Sequence, residues 1–448
     1  MEEKGKIHLI AIGGAVMHNL ALALQEAGYQ VTGSDDEIFE PSLNRLAMAG
    51  LLPEHMGWFP ERITADLDRV ILGMHARSDN PELLEATRIG LPVMSFPEFI
   101  YSVSAGAVRI AICGSHGKTT ITSMLMHGLR AAASHFDYLV GAQLEGFQTM
   151  VRLSQAPLMI IEGDEYHASP LLPEPKFLFY KAQILLISGI AWDHFNVFPT
   201  FDDYLMTFRK LLRQMQPADK LVANAEDEVL VRLVQEEVAP RQVIWYTPFR
   251  YHTDVSGTTI EYDGTSYPIS VFGKHNISNL SGAATLAGLA GIDTSSFLGH
   301  LSDFTGAARR MEKAYERKGK TVFRDFAHAP SKVKATTSAI REMYPTQRIT
   351  ACLELHTFSS LNKGFLPQYA HALDAADIRV VFFDPHTLEM KKLPPVSKEE
   401  VQDFFQDPGL LVCNDLQEMT RHLQASSFDI LLLMSSGHFA GLNIDGLV

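Results

Sequence analysis

The fold is decided by one stretch of this 448-residue chain, Arg109-Ile-Ala-Ile-Cys-Gly-Ser-His-Gly-Lys-Thr-Thr120. Its apolar first half predicts a buried strand. Its glycines predict a tight turn into a helix, with apolar side chains at helical spacing from Ile121 to Leu129. Backbone N–H groups of such a turn and of a helix N-terminus bind phosphate oxygens. The stretch therefore predicts a nucleotide-phosphate loop in which Lys118 neutralises the β- and γ-phosphates and Thr119 holds Mg²⁺.

The loop departs from the general pattern Gly-x4-Gly-Lys-Ser/Thr at one position. The first glycine of that pattern would fall on Ile112, whereas the glycine here is Gly114. A glycine-rich turn with a surface lysine is the alternative, but the strand, turn and helix signals agree. We therefore predict that the whole loop contacts nucleotide, which includes Gly114, Ser115, His116, Gly117, Lys118, Thr119 and Thr120.

Composition limits the class of protein. The length suggests about three domains of ~150 residues, and 46% hydrophobic with 20% charged residues is typical of a globular chain. A formal net charge of −14 argues against binding to nucleic acid or to an anionic membrane, since both need a cationic face. No apolar run approaches the roughly 18 residues of a membrane span, and residues 1–6 lack the apolar core expected of a signal peptide. We therefore expect a cytoplasmic protein.

The cysteines indicate little about function, and the sequence does not determine the oligomeric state. Cys113, Cys352 and Cys413 lie far apart, each in or beside an apolar run. This pattern predicts buried thiols in a reducing compartment rather than a zinc site. The sequence is compatible with a monomer and leaves the oligomeric state open.

Residues 1–106 predict an α/β domain of the dinucleotide-binding type. Residues 7–12 predict a strand that runs into Gly13-Gly14, followed by a helix that stops near Gly28. Residues 29–35 predict a second strand ending in an acidic residue. This order gives parallel strands. The glycine fingerprint is incomplete because no third glycine follows the pair, so a plain strand-to-helix turn is the alternative.

Two further α/β domains are predicted after a small, polar linker at 102–107. The central domain covers 107–306 and the third domain covers 307–448. The predicted elements are strands near 157–161, 184–187, 321–324, 349–354, 379–383 and 429–434, a β-hairpin around Asp263-Gly264, and helices near 278–290, 331–343 and 415–424.

Polar residues follow several of these buried strands. Glu162 opens a group of three carboxylates, Asp193-His194 follow the next strand, and Asp325 and His328 follow a strand of the third domain. Such strand ends hold ligands in α/β sheets, and carboxylates there suit Mg²⁺. Solvated turns and a structural histidine are the alternatives.

Two other segments carry groups suited to anions. The segment 273–279 opens an Ala-rich helix, where a lysine and backbone N–H groups can hold phosphate or carboxylate, and a simple Asn or Ser cap is the alternative. Arg309 and Arg310 lie at the presumed domain boundary. An arginine there can stabilise a transferring phosphate, and a surface salt bridge is the alternative.

Taken together and in this order, these motifs resemble those of the Mur ligase family, ATP-dependent amide-bond ligases of peptidoglycan assembly. The resemblance covers essentially the whole chain. It implies a three-domain α/β fold: an N-terminal Rossmann-like domain that binds a UDP-sugar, a central P-loop ATPase domain, and a C-terminal Rossmann-like domain that brings the amine substrate.

The resemblance also implies roles for single residues. Catalysis would involve Lys118, His194 and Arg310, and Mg²⁺ would bind Thr119, Glu162 and His194. ATP would contact the phosphate loop together with Asn279, Arg310, Asp325 and His328. The UDP-sugar would contact Gly13, Gly14, Ser34, Asp35 and His75, and the amine substrate would contact His356, Ser359, Asn362 and Lys363. Some members carry a carbamylated lysine, but residues 207–210 here give no basis for it.

Two branches of the family begin with a domain that carries Gly-Ser-Asp, as residues 33–35 do here. One attaches L-alanine to UDP-N-acetylmuramate, and the other recycles the murein peptide L-Ala-γ-D-Glu-meso-diaminopimelate. Residues 13–21, 353–363 and 434–441 resemble the recycling branch more closely. The sequence expectation is therefore ligation of the murein peptide to the lactyl carboxylate of UDP-N-acetylmuramate through an acyl phosphate, and ligation of L-alanine is the alternative.

A nucleotide-binding protein without ligase activity is an alternative of a different class. Binding alone needs no second metal ligand. The complete set of Lys118, Thr119, Glu162 and His194 therefore argues against it.

Overall fold

The structure, a computed structural model, describes residues 4–74, 76–144, 146–169, 171–193, 197–306, 311–317 and 319–447. The chain divides into two compact units. One consists of Met1–Gly114, Gly128–Gly189 and Leu205–Tyr246, and the other of Ser115–His127, Ile190–Tyr204 and Thr247–Val448. The domain limits at residues 106 and 306 are inferred from sequence and stay predictions.

The first unit opens with four parallel strands that alternate with helices. The elements are β1 (Lys6–Ile10), α1 (Ala15–Glu26), β2 (Gln30–Ser34), α2 (Ser42–Met48), β3 (Arg69–Leu72), α3 (Pro81–Arg88), β4 (Val93–Ser95) and α4 (Phe96–Val103). The sheet order is β2-β1-β3-β4. Leu9, Ile10 and Ile71 are fully buried, as expected for parallel strands that helices cover. The predicted strand–helix–strand opening is confirmed.

A second sheet in this unit carries the strand of the phosphate loop. The elements along this stretch of the chain are β5 (Val108–Cys113), α5 (Lys118–Ala131), β6 (Asp137–Leu139), β7 (Val151–Arg152), β8 (Leu158–Glu162), β9 (His167–Ser169), β10 (Leu172–Pro175), β11 (Ile184–Ile187), α6 (Phe201–Arg213), β12 (Lys220–Asn224), α7 (Glu228–Glu237) and β13 (Val243–Tyr246). Strands β9 and β10 form a separate two-stranded sheet. Residues 118–127 of α5 and 201–204 of α6 belong to the second unit. The order β13-β12-β11-β5-β8-β6-β7 places β5 in the middle. Its neighbours β8 and β11 run parallel to it, so the ends of all three lie at one edge.

The linker predicted at 102–107 is tied to the sheet rather than loose. Helix α4 covers its first two residues. Arg109 donates a hydrogen bond of 2.8 Å from Nη1 to the carbonyl of Ser104 and one of 2.9 Å from Nε to the carbonyl of Tyr180. A buried guanidinium needs such acceptors, so Arg109 stabilises the connection into β5.

The part of the second unit that starts at Thr247 opens with a small antiparallel sheet made of β14 (Arg250–Asp254), β15 (Gly257–Tyr262) and β16 (Thr265–Ile269). The turn between β15 and β16 has φ of +48° at Asp263 and +73° at Gly264. Two positive φ values are typical of the tight turn that Asp-Gly favours. The predicted hairpin is confirmed, and β14 extends it to three strands.

The Ala-rich helix begins earlier than predicted. Helix α8 spans Lys274–Leu289, followed by α9 (Thr294–His300). Gly273 precedes α8 with a φ of +86°. The Asn276 amide donates a hydrogen bond of 2.9 Å back to the carbonyl of Phe272. The predicted start near 278 was therefore four residues too late, because the loop already ends at Gly273 and α8 begins at Lys274.

A six-stranded sheet organises the rest of the second unit. The elements are β17 (Glu312–Arg317), β18 (Lys320–Asp325), α10 (Pro330–Met343), β19 (Ile349–Leu355), β20 (Ile378–Phe383), α11 (Pro385–Met390), α12 (Lys398–Phe405), β21 (Leu411–Cys413), α13 (Leu416–Ala425) and β22 (Ile430–Met434). The order is β17-β18-β22-β19-β20-β21, and only the β17–β18 pair is antiparallel among these described strands. Apolar clusters cover both faces. The alternation of strands and helices predicted for this region is confirmed.

The three cysteines are buried thiols, as predicted. None of the helices in the described part of the chain is both long and apolar enough to cross a membrane.

Candidate functional site

The phosphate loop has the backbone that its glycines predict. Strand β5 ends at Cys113 and α5 begins at Lys118. Gly114 and Gly117 have φ values of +119° and +76°, which residues with side chains rarely adopt. A Cβ on Gly117 would clash with the side chain of Asn279, so the structure places this predicted ATP contact beside the loop. Bare backbone at a helix N-terminus is an arrangement that binds phosphate.

Ser115 uses its side chain to hold the loop. Its hydroxyl lies 2.8 Å from the hydroxyl of Tyr204 and accepts a hydrogen bond of 2.8 Å from the N–H of Ala191. Ser115 and Tyr204 are both buried. Phosphate binding by Ser115 would therefore use its backbone N–H rather than its hydroxyl.

His116 links the loop to α10. Its Nε2 lies 2.7 Å from Oγ of Ser331, in the first turn of that helix. Loss of hydration around the ring and, after it, the nearby charge of Lys332 lower the pKa of His116 to about 3. The ring is therefore neutral at pH 7, so His116 contributes a hydrogen bond rather than a charge.

Asp193 also contacts the first turn of α10. Its Oδ2 is 3.3 Å from Nζ of Lys332, and the two side chains are 9% and 19% exposed. Lys332 was not predicted as a site residue, because nothing in its local sequence marks it. Only the fold brings α10 to the segment that follows β11.

Glu162 lies in the first unit at the end of β8. It pairs in register with Ile112 of β5, the strand that leads into the phosphate loop. Its carboxylate accepts a hydrogen bond of 2.9 Å from the N–H of Gly141. The neighbouring Asp164 is instead 2.6 Å from Nζ of Lys176. Within this acidic group, Asp164 forms an ion pair with Lys176. Glu162 is instead the carboxylate at the end of the strand, the position where α/β sheets bind ligands.

Asp325 and His328 follow β18 in the second unit. The buried carboxylate of Asp325 accepts hydrogen bonds of 2.7 Å from the N–H groups of Met311 and Ala327. Nδ1 of His328 lies 2.8 Å from the carbonyl of Phe326. In this structure Asp325 orders the backbone around the site, and its predicted contact with ATP stays a prediction.

A cavity of about 970 Å³ lies in the first unit, where α1 and β2 meet the loop before β7. It includes the predicted UDP-sugar contacts Gly13, Gly14 and Asp35. Asp35 Oδ2 accepts a hydrogen bond of 2.7 Å from the N–H of Gly13. Burial raises the pKa of Asp35 to about 6. Ser34 accepts a hydrogen bond of 3.3 Å from Arg62.

Arg45 and His18 also line this cavity, and the sequence did not suggest either. Arg45 Nη2 donates a hydrogen bond of 2.9 Å to the carbonyl of Gln148, and its Nη1 lies 3.3 Å from Nε2 of His18. Burial lowers the pKa of His18. An arginine among several carboxylates gives the cavity a cation for an anionic group such as a diphosphate. Sequence inspection missed Arg45, because its distance along the chain from Gly13 and Gly14 matches no sequence motif.

The predicted amine-substrate segment follows β19 in the second unit. His356 lies next to Gly437, where an added Cβ would be 2.9 Å from the imidazole. Asn362 accepts a hydrogen bond of 2.8 Å from the N–H of Gly364, and Lys363 Nζ lies 2.5 Å from Oε1 of Glu400. Ser359 is buried. The side chains of Asn362 and Lys363 thus already have hydrogen-bond partners within the protein. The contacts of this segment with a peptide substrate stay predictions.

Three predicted residues lie outside the described part of the chain. They are His75, His194 and Arg310. Their roles in UDP-sugar binding, metal binding and catalysis stay predictions.

The groups that are described fit ATP and Mg²⁺. Gly117 lies so close to Asn279 that an added Cβ would clash with its side chain, and Lys118 opens a helix directly after it. The Thr119 hydroxyl and the Glu162 carboxylate are oxygen ligands of the type that Mg²⁺ binds.

Comparison with known proteins identifies the family. Three family models match, described as Mur ligase family, catalytic domain (residues 6–107), Mur ligase middle domain (112–287) and Mur ligase, glutamate ligase domain (309–437). A UDP-N-acetylmuramate–L-alanine ligase of Rubrobacter xylanophilus is 32% identical over 84% of this chain and 83% of its own length. The chain belongs to the Mur ligase family.

Solved structures agree with this Mur ligase fold. A UDP-N-acetylmuramate–alanine ligase of Thermotoga maritima has a TM-score of 0.68 and 21% identity, covering 97% of this chain and 96% of that one. A UDP-N-acetylmuramate:L-alanyl-γ-D-glutamyl-meso-diaminopimelate ligase of Neisseria meningitides has a TM-score of 0.61 and 25% identity, covering 70% and 99%. The predicted three-domain α/β fold is confirmed. Mur ligases are ATP-dependent amide ligases of peptidoglycan synthesis, and this chain is one of them.

Proposed function

We propose that this Mur ligase joins the lactyl carboxylate of UDP-N-acetylmuramate to the amine of L-alanine. The observation that carries this proposal is the match to curated L-alanine ligases along nearly the whole chain, including one that is 32% identical. The sequence expectation was the murein peptide as acceptor. The curated relatives favour the alternative named with it, because they carry the name of the L-alanine ligase.

The reaction would follow from the groups described. The carboxylate oxygen attacks the γ-phosphorus of ATP, ADP leaves, and an acyl phosphate forms. The amine then attacks the acyl carbon, phosphate leaves with the bonding electron pair, and the amine loses a proton. Lys118 and the loop N–H groups would offset the repulsion between the carboxylate and the triphosphate. Mg²⁺ held by Thr119, Glu162 and His194 would supply further charge neutralisation.

The cavity of the first unit supports UDP-N-acetylmuramate as the acid substrate. Its volume of about 970 Å³ suits a nucleotide sugar, and Gly13, Gly14 and Arg45 lie in its wall. The N–H groups at the start of α1 and the Arg45 guanidinium would bind the diphosphate. Protonation of Asp35 at mildly acidic pH would reduce repulsion of that diphosphate.

The murein peptide is the second candidate acceptor. A solved ligase for that peptide is 25% identical over 70% of this chain. Both acceptors present the α-amino group of L-alanine, so the chemistry at the acyl phosphate would be the same. They differ in size and in the number of carboxylates. Lys363, expected to receive one of those carboxylates, is paired with Glu400 in this structure.

The two acceptors are distinguished by the mass of the nucleotide product. Enzyme, ATP, Mg²⁺ and UDP-N-acetylmuramate are incubated in parallel with L-alanine or with the murein peptide. The proposal expects UDP-N-acetylmuramoyl-L-alanine as the efficiently formed product. A product formed only with the peptide would replace it by the second candidate. No amide with either acceptor would contradict the proposed function.

A further inference from the structure

Two consecutive residues at the start of α10 contact the two segments that carry the predicted catalytic groups. Ser331 lies 2.7 Å from His116 of the phosphate loop, and Lys332 lies 3.3 Å from Asp193. We call these four residues the loop–helix cluster. All four belong to the same compact unit.

The Lys332–Asp193 pair is poorly solvated. The Asp193 side chain is 9% exposed and that of Lys332 is 19% exposed. The Coulomb attraction between two charges is stronger at such a site than on the surface, because water screens it less. Removing the lysine would leave a buried carboxylate without that counter-charge, and the carboxylate would then move toward water or toward another cation.

Movement of Asp193 would displace the residue next to it in the sequence. Asp193 directly precedes His194, the predicted ligand of the second Mg²⁺. His116 lies two residues before Lys118 in the phosphate loop. Because Ser331 and Lys332 are neighbours on one helix, α10 holds both segments from a single turn.

We propose that Lys332 is a positioning residue for phosphoryl transfer, acting through its ion pair with Asp193 on the segment that leads into His194. The proposal rests on the proposed function. It gives the third predicted domain a residue that orders the ATP site. The competing account is that the pair only stabilises the fold.

The test is Lys332→Ala, with Lys334→Ala as the matched control. Lys334 is an exposed lysine two residues along the same helix. We expect Lys332→Ala to lower kcat about 10- to 100-fold, because a displacement on the order of 1 Å can cost that much. The Mg²⁺ concentration that gives half the maximal rate should rise, and KM for UDP-N-acetylmuramate should stay unchanged. Lys332→Arg should recover part of kcat, and Lys334→Ala should behave as wild type.

A merely structural pair would give a different pattern. Lys332→Ala would then lower the melting temperature while kcat per folded enzyme and the Mg²⁺ dependence stayed at wild-type values, and that result overturns the proposal. A double variant that combines Lys332→Ala with Asp193→Asn tests whether Lys332 acts through Asp193. If Lys332 acts through Asp193, the double variant loses no more kcat than the worse single variant, whereas multiplied losses contradict the proposal.

The proposed function and this inference fail separately. Wild-type enzyme that forms no amide with UDP-N-acetylmuramate contradicts the function. The inference is then judged on the Mg²⁺ dependence of ADP binding by titration calorimetry. Lys332→Ala must weaken that dependence and Lys334→Ala must not. Equal behaviour of the two variants overturns the inference.

Discussion

The Asp325 carboxylate accepts a hydrogen bond of 2.7 Å from the backbone N–H of Met311, the residue that follows Arg310 in the sequence. Met311 has a φ of +50°, a conformation that needs support in a residue with a side chain. The same carboxylate accepts a hydrogen bond of 2.7 Å from Ala327. Asp325 therefore joins the connection between the second and third predicted domains to the segment that carries His328.

Asp325→Asn should lower kcat while UDP-N-acetylmuramate binding persists. An amide offers one oxygen where two N–H groups now meet a carboxylate, and its NH₂ would face a donor. We expect a loss in kcat of about 10-fold or more, since such losses accompany small displacements of a site. Steady-state kinetics and UDP-N-acetylmuramate titration measure both quantities. Asp384→Asn, at a helix cap that tolerates Asn, is the control. Unchanged kcat in Asp325→Asn would show that the Met311 contact has no part in turnover.

Lys118→Ala should abolish most of the ATP-dependent turnover. The lysine opens α5 directly after Gly117, where negative charge gathers during transfer. Losing such an electrostatic contact lowers kcat by about 10²-fold or more. Release of ADP and phosphate with UDP-N-acetylmuramate and L-alanine present measures it, and circular dichroism checks that the variant is folded. Near-normal turnover in folded Lys118→Ala would remove the phosphate-loop assignment.

Asp35 should make stability depend on pH. Burial raises its pKa from 3.8 to about 6 in the folded protein. Between these values the folded chain keeps a proton that the unfolded chain releases. The stability from Asp35 is therefore fully present below pH 3.8 and is lost as the pH rises through about 6.

Asp35→Asn cannot ionise, so it should gain stability relative to wild type as the pH rises. We expect the gain between pH 4 and pH 7.5 to be about 2 kcal/mol. Urea unfolding at both pH values measures it. Asp79→Asn, at an exposed ion pair, is the control and should show no such trend. A stability difference between Asp35→Asn and wild type that stays constant with pH would contradict the burial argument.

The sequence predicted those parts of the site that local signals specify. Gly114 and Gly117 follow an apolar strand and precede an amphipathic helix, so turn, strand and helix could be recognised from neighbouring residues. Glu162 and Asp325 could be found because they end buried strands, and parallel strands end at one edge of a sheet. The resemblance implied that Asn279 faces the nucleotide phosphate, and the structure places Asn279 beside Gly117 of the phosphate loop.

The contacts that sequence inspection missed join distant segments. Lys332 and Asp193 are 139 residues apart, and Arg45 and Gln148 are 103 apart. No periodicity or spacing reveals such pairs, because only the tertiary fold brings their residues together. Likewise, sequence inspection suggested that Lys363 binds a substrate carboxylate. In the structure Lys363 forms an ion pair with Glu400, which lies 37 residues away in the sequence.

The central claim is tested most directly by competition between the two acceptors. L-alanine and L-Ala-γ-D-Glu-meso-diaminopimelate are supplied at equal concentration with limiting UDP-N-acetylmuramate, ATP and Mg²⁺. The ratio of the two nucleotide products is read by mass spectrometry and equals the ratio of the kcat/KM values. The account predicts that UDP-N-acetylmuramoyl-L-alanine is the main product. Predominant formation of the peptide-linked nucleotide would contradict it.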